Sequence, residues 1–321
     1  MAETNPKHSA SPAKELVRRL KIKGHKAQIV PIKRLSDLEQ KTTQWHETNH
    51  LNKDFYEEHL KDFVFAPPVD FPGVKSTIVV ASPQPNRQVS FSLNSKTDTA
   101  VIPYQYSYET DAEVATILDD WGTSLDIRFA KAALPLKLLA VCSGLAVYGK
   151  NNIAYIEGMG SYFRLSAFYS DLPADTDIWV EPRMLERCRN CRSCIKNCPT
   201  QAIRSDRFLI SAEHCITFHN ESKKDFPDWI VPSWHKNLVG CLICQQNCPE
   251  NRNNKGRTEK GWIFSAEETT LIMKQEPVEK LPEATAKKLE RLGMLTYYDI
   301  LPRNLRALLT GRDLSPDEGS S

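Results

Sequence analysis

The 321-residue chain has no run of about 18 apolar residues, so nothing in it reads as a helix spanning a bilayer. Its opening stretch, residues 1–11, is polar, with neither an apolar h-region nor a twin-arginine pair. It does not read as an export signal, and a cytoplasmic chain is expected. An excess of one charge is also lacking: 42 Lys+Arg against 40 Asp+Glu leave a net charge of +2. No overall field would draw such a chain onto nucleic acid or membrane, so any such binding must come from a local patch. Cysteine is scarce over most of the length. Of nine, only Cys142 lies outside residues 188–248. Scattered core thiols would not crowd in this way, and in a cytoplasmic setting the crowding points to metal rather than disulfides.

The 40% hydrophobic content is ample for a real core, in two domains or in one large domain with an insert. Residues 1–12 read as a disordered tail. Helical patterning follows over 13–26, closed near Gly24, and again over 35–46. Pro67, Pro68 and Pro72 interrupt the chain before a buried-type strand at 76–81, and shorter strands are expected at 88–93 and 99–104. Val114, Ile117 and Leu118 give 111–121 a helical spacing, and 135–142 reads as a buried helix stopped by Gly144. Apolar, aromatic strands are expected at 153–156 and 162–169. The expected fold is α+β: an α/β domain with a mixed sheet over 13–180, a cysteine-rich module over 181–255, and a helical extension over 256–321. In that extension Ser265 and Glu268 form a capping box, and 302–309 reads as a last helix.

The spacing Cys188-x2-Cys191-x2-Cys194-x3-Cys198-Pro199 is the bacterial ferredoxin run. Three cysteines wrap one cube, and the fourth is carried to a different cube by the turn before the proline. Cys215, Cys241, Cys244 and Cys248 supply the remaining thiolates, the last again followed by a proline. We assign one [4Fe–4S] cluster to Cys188, Cys191, Cys194 and Cys248, and a second to Cys198, Cys215, Cys241 and Cys244. Zinc also takes Cys-x2-Cys pairs. It does not explain the third cysteine at the same gap, the two Cys-Pro steps, or the total of eight. His214 and His219 flank Cys215, but eight thiolates already fill both cubes. Two clusters in tandem form a wire, so the front domain should hold the electron acceptor or the substrate.

The segment Ser143-Gly144-Leu145-Ala146-Val147-Tyr148-Gly149-Lys150-Asn151 resembles the AGLGxxGKN segment of the epoxyqueuosine reductase family. Further likenesses are Pro72-Gly73-Val74-Lys75-Ser76, Gly160-Ser161-Tyr162-Phe163, Asp171-Leu172, the cysteine module, and Arg303-Asn304 before the last helix. The resemblance covers roughly residues 70–310. It implies a nitroreductase-like cobalamin domain before a ferredoxin-like module, as in the related reductive dehalogenases. The clusters would reduce the cobalt to Co(I), which would reduce a bound substrate. For the family that substrate is tRNA-borne epoxyqueuosine, in queuosine biosynthesis. The resemblance also implies that Ser143, Gly144, Leu145, Tyr148, Gly149, Lys150 and Asn151 lie against the cobalamin. Small residues there permit close approach, and Lys150 and Asn151 suit phosphate or amide groups.

One departure matters. The family carries a proton-donating aspartate three residues before a proline, and the matching position here, ahead of Pro135, is Ala132. Tyr104, Tyr106 and Tyr108 sit where the family has a tyrosine-containing strand end, and are the candidate donors; aromatic packing is their other reading. Cys142, beside Ser143, reads as a buried apolar thiol or a cofactor neighbour. Seven basic residues (Arg183, Arg187, Arg189, Arg192, Lys196, Arg204 and Arg207) flank the first cluster, suiting an acidic flavodoxin or ferredoxin donor or simply a solvated face. The basic N-terminal helix leaves tRNA contact open, and a monomer is expected. The alternative function is an electron-transfer or corrinoid-binding protein without epoxyqueuosine reductase activity.

Overall fold

A computed structural model describes residues 10–48, 51–254 and 258–313. The elements, in chain order, are α1 (Pro12–Ile22), β1 (Lys26–Pro31), α2 (Arg34–Glu47), α3 (Lys53–His59), β2 (Ser76–Pro83), β3 (Asn86–Leu93), β4 (Lys96–Ile102), α4 (Glu109–Thr123), β5 (Phe129–Lys131) and α5 (Leu136–Cys142). There follow β6 (Val147–Tyr148), β7 (Ala154–Tyr155), β8 (Phe163–Ser170), α6 (Ser193–Asn197), α7 (Ile216–Glu221), α8 (Ile243–Gln246), β9 (Thr258–Phe264), α9 (Ala266–Met273), α10 (Glu283–Arg291) and α11 (Leu301–Asp313).

The main sheet has the order β1-β2-β8-β5 and is antiparallel at every pairing. Strand β2 lies between two partners, which is why its STIVVAS run is buried on both faces. Alternation then sorts its side chains. Ile78 and Val80 pack with Leu16 and Leu20 of α1 and with Val114 and Leu118 of α4. Val79 and Ala81 pack on the other face with Leu35 and Leu38 of α2 and with Leu138 and Leu139 of α5. Helices therefore cover both faces of the sheet.

A second core gathers around the sheet β4-β3-β9. Val89, Phe91, Ala100 and Ile102 meet Phe264 of β9, Ile272 of α9, Leu289 of α10 and Leu305 of α11. The capping box expected at α9 is present, with the Glu268 amide donating to Ser265 Oγ and the Ser265 amide to Glu268 Oε2.

Three expectations need correction. The sheet of the front domain is antiparallel; the mixed one is the small sheet, where β3 pairs antiparallel with β4 and parallel with β9. The extension over 256–321 is not all helical, because it opens with β9. The first helix ends at Ile22, and Lys26 begins β1, an edge strand held by β2 rather than by its own propensity. The disordered tail expected over 1–12 falls mostly outside the described residues; within them Ser11 caps α1 and Pro12 is its first residue.

Candidate functional site: a cavity walled by Cys215 and Cys241

Residues 188–248 form short helices and turns that carry eight cysteines, all without a disulfide partner, Cys194 buried and the others half-buried. The thiols act on one another mostly within two sets, with Cys194 of one also acting on Cys244 of the other. Burial and its neighbours Cys188, Cys248 and Cys191 push the Cys194 thiol up to about 11. Burial, with Cys215 and Cys198 nearby, pushes Cys241 up to about 12. Cys244 is raised by burial and then by Cys241, Cys215, Cys194 and Cys198. Crowded buried thiols of this kind lose protons only when a cationic centre compensates them. Among the described residues, no three His, Cys, Asp or Glu side chains converge tightly enough for a single metal ion.

A cavity of about 530 Å³ opens beside the cysteine segment, with Cys215 and Cys241 in its wall. Helix α3 contributes Phe55 and His59, the start of α5 Leu136 and Lys137, β8 Phe163 and Arg164, and α7 Phe218 and Glu221. All three candidate tyrosines line it. Tyr104 Oη donates to Gln245 Oε1 at 3.1 Å, an oxygen that also accepts from Ser161 Oγ at 2.8 Å. Tyr106 donates to Glu221. Tyr108 lies under the Arg164 guanidinium at 4.3 Å, and Arg164 is held by both carboxylate oxygens of Asp111 at 2.7 and 2.9 Å. Two buried polar atoms on cavity-lining residues lack any partner, the donor Asn152 Nδ2 and the acceptor Gln105 Oε1.

The 143–151 segment sits elsewhere. None of Ser143, Gly144, Leu145, Tyr148, Gly149, Lys150 and Asn151 lines the cavity; the wall begins one residue later, at Asn152. Ser143 Oγ donates to Ala140 O at 3.0 Å, and Leu145 packs on the main core. Gly144 takes φ +77° where α5 ends, and Tyr148 meets Phe208 edge-on. Lys150 offers its backbone amide to Cys188. Asn151 Nδ2 donates to Tyr155 Oη at 2.9 Å and reaches Cys244 O at 3.5 Å. A Cβ on Gly149 would come within 2.5 Å of the Tyr155 ring. This segment braces the cysteine module.

Ala132 is buried in the main core, with its amide donating to Ala167 O at 2.8 Å, and it does not line the cavity. Cys142 is also a core residue, its thiol pushed up to about 12 by burial. Sequence reasoning passed over Lys137 and Glu221. Their only sequence signal is a charge inside an otherwise apolar run after Pro135, and another at the end of the short helix that follows Cys215.

Residues 187–251 match the family model described as a 4Fe-4S double cluster binding domain. The epoxyqueuosine reductase of Cyclobacterium marinum is 37% identical over 90 residues, covering 28% of each chain. That of Francisella cf. novicida is 26% identical over 202 residues, 57% of this chain and 55% of that one. A solved selenomethionine-labelled epoxyqueuosine reductase superposes with a TM-score of 0.65 at 19% identity, over 93% of this chain and 81% of that one. The chain is similar to the epoxyqueuosine reductases, in sequence over part of its length and in fold over most of it. It spans about half or less of the length of the curated epoxyqueuosine reductases it matches. An epoxyqueuosine reductase solved with an epoxyqueuosine-modified tRNA stem loop gives a TM-score of 0.64 at 20% identity, over 93% of this chain and 80% of that one. The likeness in fold to the solved epoxyqueuosine reductases thus extends well beyond the cysteine segment, into the front domain that carries the cavity. Among the described residues, no helix is long and apolar enough to cross a membrane.

Proposed function

We propose that this chain is an iron–sulfur, corrinoid-dependent reductase of the epoxyqueuosine reductase kind, acting in the cytoplasm. The observation that carries the proposal is the cavity walled by Cys215 and Cys241. A cluster on Cys198, Cys215, Cys241 and Cys244 would deliver electrons at that wall. The other, on Cys188, Cys191, Cys194 and Cys248, would receive them from outside. Exposed Arg192 and Lys196 beside it suit an acidic one-electron donor such as a flavodoxin or ferredoxin.

The front half would be a nitroreductase-like corrinoid domain. Its cavity suits an amide-fringed macrocycle, because the unpartnered Asn152 Nδ2 needs an acceptor and the unpartnered Gln105 Oε1 needs a donor. Peripheral carboxamides supply both. Leu136, Phe163 and Leu165 would hold the apolar faces. When bound, the corrinoid supplies a two-electron reductant that one-electron clusters cannot provide alone. Tyr104, Tyr106 and Tyr108 would then present hydroxyl and aromatic groups to the substrate. One solved relative holds an epoxyqueuosine-modified tRNA stem loop, and we extend that substrate class to this chain.

The test is anaerobic protein reconstituted with iron and sulfide, titrated with cobalamin, then given epoxyqueuosine tRNA and a strong reductant in single turnover. Saturable cobalamin binding followed by epoxide reduction supports the reading. Cobalamin binding without turnover would leave a corrinoid-binding electron carrier, and no binding would sink the corrinoid assignment.

A further inference from the structure

Reductive removal of an epoxide oxygen consumes two electrons and two protons and releases water and an alkene. Resting on the function proposed above, the electrons have a path, from a low-potential one-electron donor through the two clusters. The proton path is open, because Ala132 is buried in the core and carries no acid.

We propose that Glu221 and Tyr106 form the proton-delivery pair of the cavity, with Lys137 as the cation facing the carboxylate that remains. Both members of the pair line the cavity, and so does Lys137. Tyr106 comes from the turn after β4, Glu221 from the last residue of α7, and Lys137 from the first turn of α5. Three separate elements thus converge on one wall. The Tyr106 hydroxyl donates to Glu221 Oε1, and no salt-bridging partner at ion-pair distance is found for Glu221 among the described residues. Lys137 lies farther off and acts through its charge, while its Nζ donates to Asn152 O at 3.4 Å. Tyr297 packs edge-on against Tyr106 at 5.3 Å and faces Glu221, Tyr108 and Arg164, while Lys137, lowered by burial, also faces Cys215 and Cys244.

Burial pushes the Glu221 carboxyl up to about 7, against the Tyr106 hydrogen bond and the Lys137 charge, which lower it. Burial and Glu221 together hold the Tyr106 hydroxyl protonated well above its ordinary range. Near neutral pH the pair therefore has two forms. With the carboxylate charged, Tyr106 donates to it. With the carboxyl protonated, the hydrogen bond reverses and the Tyr106 hydrogen is free to point into the cavity. Transfer of that hydrogen to the substrate oxygen breaks the Tyr106 O–H bond, and the Glu221 proton replaces it. The net change is one proton from Glu221 to substrate, leaving a carboxylate facing Lys137. Solvent supplies the second proton and recharges Glu221.

The first measurement uses the cluster-loaded protein without corrinoid. Infrared spectra of wild type minus Glu221→Gln should show a protonated-carboxyl band at about pH 6 that is lost across neutral pH. The band should titrate at a different pH in Tyr106→Phe. Absence of the band at about pH 6 overturns the pair. The second is single turnover on the epoxide, where Glu221→Gln and Tyr106→Phe should each slow the reaction by roughly 100-fold, with corrinoid affinity unchanged. The double variant should be no slower than either single one. Equal rates for wild type and Glu221→Gln also overturn the pair. If wild type binds no corrinoid, the functional reading fails, and the infrared band decides the pair by itself.

Discussion

The side chain of Asn220 brackets Gly240: Nδ2 donates to the Gly240 carbonyl at 2.8 Å, and Oδ1 accepts from the Gly240 amide at 2.9 Å. This pair of hydrogen bonds ties the helix after Cys215 to the turn before Cys241, closing the two ends of the 25-residue stretch that separates those cysteines. Gly240 sits at φ +68° with the Tyr106 ring against it, so no side chain fits there. Asn304 of α11 in turn donates to Asn220 O at 2.7 Å and Leu238 O at 3.0 Å.

Asn220→Ala strands two buried backbone groups, each costing about 1–3 kcal/mol. The second cluster should suffer and the first should not. Reconstituted Asn220→Ala is expected to hold roughly half the iron of wild type. Full iron content with an unchanged paramagnetic spectrum would refute this. Asn304→Ala should show the same loss in milder form.

Crossed ligation makes a separate prediction. Cys248→Ala should damage the same cluster as Cys191→Ala, while Cys198→Ala should damage the one that depends on Cys215. Paramagnetic resonance of the reduced variants separates the two signals. Loss of the same signal in Cys198→Ala and Cys191→Ala would show that the ligands are not crossed.

Gly149→Leu drives a side chain into the Tyr155 ring, beside the turn that carries Lys150 to Cys188 and Asn151 to Cys244. The variant should lose iron along with any corrinoid binding. An iron content equal to wild type, with only corrinoid binding abolished, would place the cofactor against this segment instead.

His235 is buried, and burial together with the Arg303 charge lowers it from 6.5 to about 4. The unfolded chain therefore takes up this proton first as pH falls. Stability is full above about pH 6.5 and declines toward pH 4, by about 3 kcal/mol at most. His235→Gln should flatten that decline in a melting series under anaerobic conditions. A parallel decline in both proteins would assign it to other groups.

Much of this was legible in the sequence because it was periodic or punctuated. The buried run at 76–81, the helical spacing of Val114, Ile117 and Leu118, and the Ser265–Glu268 capping box are local signals, and each lies in the expected element. Strand β1 was not, since Lys26–Pro31 becomes a strand only through pairing with β2. Nor was β9, whose parallel partner β3 lies on the far side of the cysteine module. The cavity was half legible. The three tyrosines stand out as YQYSY, but Glu221 and Lys137 meet them only after long-range packing, which no spacing reveals.

Strand β9 follows the cysteines in sequence yet belongs to the front half by hydrogen bonding. The iron–sulfur segment is thus enclosed, a loop whose two ends are fastened to the same frame, rather than a cartridge clipped to one end. Cutting the gene ahead of Cys188 would not yield two folding halves. It would leave β3 with a bare edge on one fragment and β9 without a partner on the other, each open to pairing with strangers.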